Sequence, residues 1–130
     1  MYNREYTPER ISALKENEVF VFGSNLAGAH AGGAARLALE YFGAVWGQGV
    51  GLQGQSYAIP TMQGGVDTVK PYVDEFVRFA QSRPDLKFYV TPIGCGIAGF
   101  TPKEMAPLFA DSFSVENVIL PKAFVDEIGK

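Results

Sequence analysis

Cysteine and histidine are almost missing from this chain, with one of each in 130 residues. A single cysteine, Cys95, excludes an internal disulfide framework and any cysteine-built zinc site. A single imidazole, His30, leaves a histidine-rich metal centre without ligands. Charge is scarce too: 19% of residues carry it, and the formal net charge of -3 lacks the basic excess by which nucleic-acid binders draw in phosphate backbones. No apolar run approaches the roughly 20 residues of a membrane span. Met1 is followed by Tyr-Asn-Arg-Glu, not by a basic and then apolar signal segment. These shortages predict a cytoplasmic protein with no membrane partner, no metal and no cofactor. Hydrophobic residues make up 47%, too many for a disordered chain, and the length suits one domain over residues 1–130.

Glycine is what the chain has in plenty. Of 15 glycines, 11 fall between Gly23 and Gly65, a stretch whose only charged residues are Arg36 and Glu40. A flexible glycine linker would be rich in serine and poor in large apolar groups. This stretch instead carries Leu26, Leu37, Phe42, Trp46, Tyr57 and Ile59. Its glycines therefore point to ordered loops that approach something closely.

Periodicity and stop signals divide the chain into alternating elements. Residues 7–14 read as a short helix, with Thr7 as cap, Pro8 in the first turn, and Ile11 and Leu14 on one face. Residues 19–22, Val-Phe-Val-Phe, read as a buried strand stopped by Gly23. A glycine-rich loop, 23–33, then leads to a helix over 34–41. Residues 44–46 are a candidate short strand, 48–54 are turn-rich, and 56–59 form a strand stopped by Pro60. A helix over 68–82 holds Pro71 in its first turn and ends before Pro84. Residues 87–91 form a strand that enters a second glycine loop, 92–100. Thr101-Pro102-Lys103-Glu104 has the form of a capping box. A short strand at 118–120 and a helix over 121–128 complete the pattern, so the expected class is α/β.

Strand, glycine loop and helix thus follow one another twice. Glycines let successive backbone N–H groups turn inward, and a helix starting just beyond aims its unpaired N–H groups at the same place. With almost no lysine or arginine nearby, the arrangement predicts a phosphate held by main-chain amides, as part of a nucleotide or diphosphate. Neither standard nucleotide fingerprint is present. There is no G-x-x-x-x-G-K-[ST], no G-x-G-x-x-G in the first loop, and no acidic residue some 20 positions beyond it.

Residues 19–35, V-F-V-F-G-S-N-L-A-G-A-H-A-G-G-A-A, resemble the first ligand loop of macro domains. Residues 88–100, F-Y-V-T-P-I-G-C-G-I-A-G-F, are similar to the second macro loop, which wraps the diphosphate of ADP-ribose. The Ile-Gly-Cys-Gly form is nearest to the branch holding terminal ADP-ribose glycohydrolases and DNA-ADP-ribose glycohydrolase antitoxins. The block 20–61, with G-Q-G-V-G-L-Q-G-Q-S-Y-A-I-P-T, resembles small bacterial and phage proteins related to macro domains. The resemblance extends over residues 19–120 and implies a three-layer α/β/α macro-like domain with a mixed central sheet of five or six strands. It implies a site of Gly23, Ser24, Asn25, Gly28, Gly32 and Gly33 from the first loop. From the second it implies Gly94, Cys95, Gly96, Ile97, Ala98, Gly99 and Phe100.

The resemblance also has gaps. No aspartate entry motif precedes Asn25. The lysine that forms a sugar adduct in the glycohydrolase branch is unmatched, since that neighbourhood reads Ile59-Pro60-Thr61-Met62. The acidic residue of the second loop corresponds to about Ala98. Catalysis, if present, would hydrolyse an ADP-ribosyl bond or ADP-ribose phosphate, and its candidate residues are Asn25 and His30. Two further functions stay open: a reader of ADP-ribosylated protein or nucleic acid without catalysis, and a homo-oligomeric module joined through the uncharged middle segment. Several residues also keep two readings. Asn25 is a local Asx turn or cap, or a residue that binds ribose or positions a water, and His30 is a surface or structural residue, or one that touches the ligand or carries a proton. Cys95 is a packing residue or a thiol activated by the following helix, and Phe100 fills core or stacks on a ring. Trp46 and Tyr57 read as core or rim aromatics. Gln48, Gln53 and Gln55 read as solvated turn residues or readers of polar groups, and Glu9, Glu16 and Glu18 as solvated charges.

Overall fold

The computed structural model describes residues 4–129, so the outermost residues of the expected domain lie outside it. Five strands, four α-helices and one 3-10 helix occur among the described residues. They run β1 (Glu18–Ser24), α1 (Gly33–Tyr41), β2 (Gly51–Gln53), β3 (Ser56–Pro60), α2 (Val66–Ser82), β4 (Lys87–Val90) and α3 (Pro102–Met105). The 3-10 helix Ala106–Ser112, β5 (Val118–Ile119) and α4 (Lys122–Ile128) follow. The sheet order is β2-β3-β1-β4-β5, with β2 antiparallel to β3 and every other pair parallel. The protein is therefore a mixed α/β fold on a five-stranded mixed sheet.

The continuous apolar run of β1 serves two cores because successive side chains of a strand point to opposite faces. Val19 and Val21 join Ile59 and Val90 in a cluster with Val69, Val73 and Phe76 of α2, Phe109 and Phe124. Phe20 and Phe22 belong to a smaller cluster with Ala35 and Ala38 of α1 and with Phe42. Burying one such side chain contributes about 1.5–3 kcal/mol, so the α2 face carries most of the hydrophobic stabilisation. No helix among the described residues is long and apolar enough to cross a membrane.

Three local expectations need correction. Residues 7–14 form no helix. Thr7 does not cap anything: its N–H donates to Leu120 O at 2.9 Å and its hydroxyl to Ile119 O at 3.0 Å, which ties the segment to β5. A lone turn or two of helix has little intrinsic stability to set against such bonds. Residues 44–46 are not a strand, because the Val45 N–H is taken by the Gln53 side chain at 2.8 Å. The strand in this region is β2, within the glycine-rich piece read as turns. Finally, α2 starts at Val66, so Pro71 lies inside the helix and not in its first turn.

Candidate ligand-binding site

Parallel pairing puts the two glycine loops together. β1 and β4 are neighbours with Val21 opposite Val90, so both loops leave the same edge of the sheet. They face each other across a cleft of about 380 Å3. Gly23, Ser24, Asn25, Gly32 and Gly33 line it from one side, and Gly94, Gly96, Ile97 and Ala98 from the other. Thr61 and Met62, beyond β3, and Thr91 and Pro92, beyond β4, also line it, with four alanines of the first loop and α1 and with Ile93, and no lining residue is charged or titratable. Thr61 and Met62 matter to the site only through the parallel β1–β3 register, which the sequence does not spell out. A larger groove of about 860 Å3 adjoins the cleft and shares Ala34, Thr91 and Pro92 with it. Phe20, Leu37, Tyr41 and Pro121 give that groove an apolar wall, and Glu9, Arg10 and Lys122 bring charge to it.

Main-chain donors are available on both sides. Helix α1 opens at Gly32 with no side-chain cap and no acidic residue in its first turn. Its first N–H groups, of Gly33, Ala34 and Ala35, therefore keep their hydrogen-bonding capacity and the positive end of the helix dipole. In the second loop Cys95 N–H bonds Pro92 O, Gly99 N–H bonds Gly96 O and Phe100 N–H bonds Gly94 O. These turns fold the loop while Gly96, Ile97 and Ala98 donate to nothing among the described residues. Gly32 and Gly96 have φ values open to any residue, and a side-chain carbon at either would meet nothing within 4 Å. The protein's own packing does not demand glycine at these two lining positions.

The remaining candidates lie elsewhere. Gly28, His30, Cys95, Gly99 and Phe100 do not line the cleft. Gly28 is glycine because a Cβ there would overlap the backbone of Gly47 and Gln48. His30 takes the structural reading and not that of a proton carrier: it is 1% exposed and packs edge-on against Phe22. Asn25 reaches the cleft, but its side chain bonds Ala29 twice, accepting from the N–H at 2.9 Å and donating to the carbonyl at 3.1 Å. That is the local Asx role. Cys95 is not activated: burial and the nearby Glu104 carboxylate push its thiol pKa up. Phe100 packs behind the loop on the α2-side core.

Two further readings change. Glu18 is not a solvated charge but is 8% exposed, its carboxylate accepting from Lys15 N–H at 2.7 Å and from the Tyr89 hydroxyl at 3.1 Å. Trp46, in contrast, is 59% exposed, while Tyr57 is core. Comparison with protein-family models, with curated proteins and with solved structures finds no match to this chain.

Proposed function

We propose that the cleft binds the diphosphate of a nucleotide, with ADP-ribose as the leading candidate, and that the chain is a three-layer macro-like binder without catalysis. One observation carries this reading. Two glycine loops from adjacent parallel strands flank a cleft with no charged side chain, and both present N–H groups that no protein acceptor uses. Oriented amides and a helix N-terminus hold anions without basic side chains. The adjoining groove, with its apolar wall, has room for the nucleoside that a diphosphate would carry. Helices packed on both faces of the sheet support the three-layer, macro-like assignment. Binding without hydrolysis is the simpler activity, because Asn25 is engaged with Ala29, His30 is buried, and the cleft offers no general acid or base.

Calorimetric titration with ADP-ribose, ADP and AMP tests the reading. Heat and a thermal shift with ADP-ribose are expected; the absence of both with all three ligands rejects it. Incubation with ADP-ribosylated protein or DNA should release no ADP-ribose, and release lost in Asn25→Ala would instead make the chain a hydrolase. A second reading, self-association, is favoured by the exposed Val45, Trp46 and Leu52, which lie within a segment free of charge from Tyr41 to Val66, and by exposed Leu26, whose backbone that segment meets at Gly49. Light scattering decides it, and a strict monomer removes it.

A further inference from the structure

Among the described residues, one uncharged amide outside the cleft makes four hydrogen-bonding contacts through its side chain. Gln53, at the end of β2, is buried. Its Oε1 accepts the Val45 N–H at 2.8 Å and lies 3.2 Å from His30 Nε2. Its Nε2 donates to Gln48 O at 3.1 Å and to Gly51 O at 3.2 Å. His30 Nε2 is also 3.0 Å from Gln48 O. Both neighbours of Nε2 are acceptors, so the imidazole proton sits there, while the buried Nδ1 has no partner among the described residues.

This network joins two pieces of chain that are distant in sequence. On one side is the first glycine loop, on the other the uncharged segment 45–53. Three more contacts run in parallel with it. Gly47 N–H donates to Gly28 O at 2.9 Å, the Ser24 hydroxyl donates to Gly49 O at 2.6 Å, and Gly28 lies directly on the backbone of Gly47 and Gln48. Burying an imidazole and an amide is costly unless they are bonded, and a satisfied polar network selects one arrangement where apolar packing tolerates several.

We propose that His30 and Gln53 are positioning residues. They hold residues 28–33, and with them the open N-terminus of α1, at the separation from the second loop that a bound diphosphate requires. Neither residue touches the ligand. The segment 45–53 is a buttress, and the placement of the first loop is set from behind. This rests on the binding reading above, so its test has an arm that needs no ligand.

The full chain is compared with His30→Phe, which keeps an aromatic ring against Phe22 but loses the donor, and with His30→Gln, whose amide can donate where Nε2 does. Gln53→Glu, which keeps the acceptors and loses both donors, is the fourth protein. Hydrogen exchange is followed separately at amides 25–33 and 94–100, and ADP-ribose affinity is measured on the same samples. In His30→Phe and Gln53→Glu, exchange should quicken in the first loop and not in the second. Affinity should fall about tenfold, the size of effect seen when partners behind a ligating group are lost. His30→Gln should lie nearer the wild type in both readouts. Equal quickening in both loops, unchanged affinity in His30→Phe, or no rescue by His30→Gln overturns the proposal. If the wild type binds no ADP-ribose, the binding reading fails, and loop-selective exchange alone decides whether the buttress exists. Should His30→Phe fail to fold, His30→Gln and Gln53→Glu still yield both measurements.

Discussion

The two loops that flank the cleft are built in opposite ways. The second, between β4 and α3, closes on itself through hydrogen bonds between residues three or six apart, and it rests on side chains: a Cβ added at Gly94 would meet Met105 and Phe100 at 3.0–3.1 Å. The first, between β1 and α1, depends on a segment some twenty residues away. There Gly28 meets the backbone of Gly47 and Gln48, and Gly49 of that segment in return meets the backbone of Asn25 and Leu26. Side chains can swing aside by changing rotamer, whereas main chain can move only by shifting the whole segment. Similar glycine content therefore does two jobs. In the second loop it permits a local fold, and in the first it lets two backbones come into contact.

Substituting a glycine on each side should expose that difference most sharply. A Cβ in Gly49→Ala would overlap the carbonyl oxygens of Asn25 and Leu26, so the first loop must move away from its buttress. A loss of about 2–3 kcal/mol is expected, as for overpacking in a tight interior, and urea denaturation measures it. Gly96→Ala has open space and an unstrained φ, so its stability should stay within about 0.5 kcal/mol of wild type. Its ADP-ribose affinity should nonetheless fall, because the methyl group stands in the cleft. A Gly49→Ala protein as stable as wild type would mean that the buttress yields easily, and the contrast between the loops would collapse.

The same contrast explains what could be read in advance. The elements around the second loop were legible because their signals are local: β-branched and aromatic residues mark β4, and Thr101 and Glu104 form the expected reciprocal cap. The first strand and the start of α1 were legible for the same reason. The sequence does not show that Gln53, four bonds deep in the interior, holds His30 away from solvent, because that contact spans twenty-three residues. β2 was hidden by the glycines that allow it to turn, and the strand expected at 44–46 lost its donor to the Gln53 side chain. Residues 7–14 carry a plausible helix pattern whose cap is diverted by β5. At residues 7–14 and 44–46 a hydrogen bond from elsewhere in the chain overrides the local preference.

A smaller effect separates the loops from the other direction. Thr101 accepts the Glu104 N–H at 3.2 Å, and Glu104 accepts the Thr101 N–H at 2.9 Å. Thr101→Ala removes half of this box and should cost about 1 kcal/mol, read from the thermal midpoint. Because α3 follows the second loop directly, hydrogen exchange should quicken at 94–105 and stay unchanged at 25–33. Equal changes in both loops would show that they share more rigidity than their contacts imply.

The weakest expected effect lies at the opposite end of the sheet and serves as the reference for both loops. The Lys15 N–H holds the Glu18 carboxyl below its usual pKa, aided by the Tyr89 hydroxyl and the charge of Lys87. A carboxyl whose folded pKa is lowered stabilises the protein above its unfolded pKa, and that contribution disappears as pH falls through the folded value. Glu18→Gln should therefore denature slightly earlier than wild type above about pH 5, and the two curves should converge once the pH has fallen through the lowered folded pKa. A gap that stays constant across this range would show that the charge on Glu18 contributes nothing. Glu18 opens β1 and the cleft lies beyond the other end of that strand, so ADP-ribose affinity should be the same in Glu18→Gln and wild type at every pH where both remain folded. A binding curve that followed the Glu18 titration would instead tie the two ends of the sheet together, and neither loop could then be treated as an independently built half of the site.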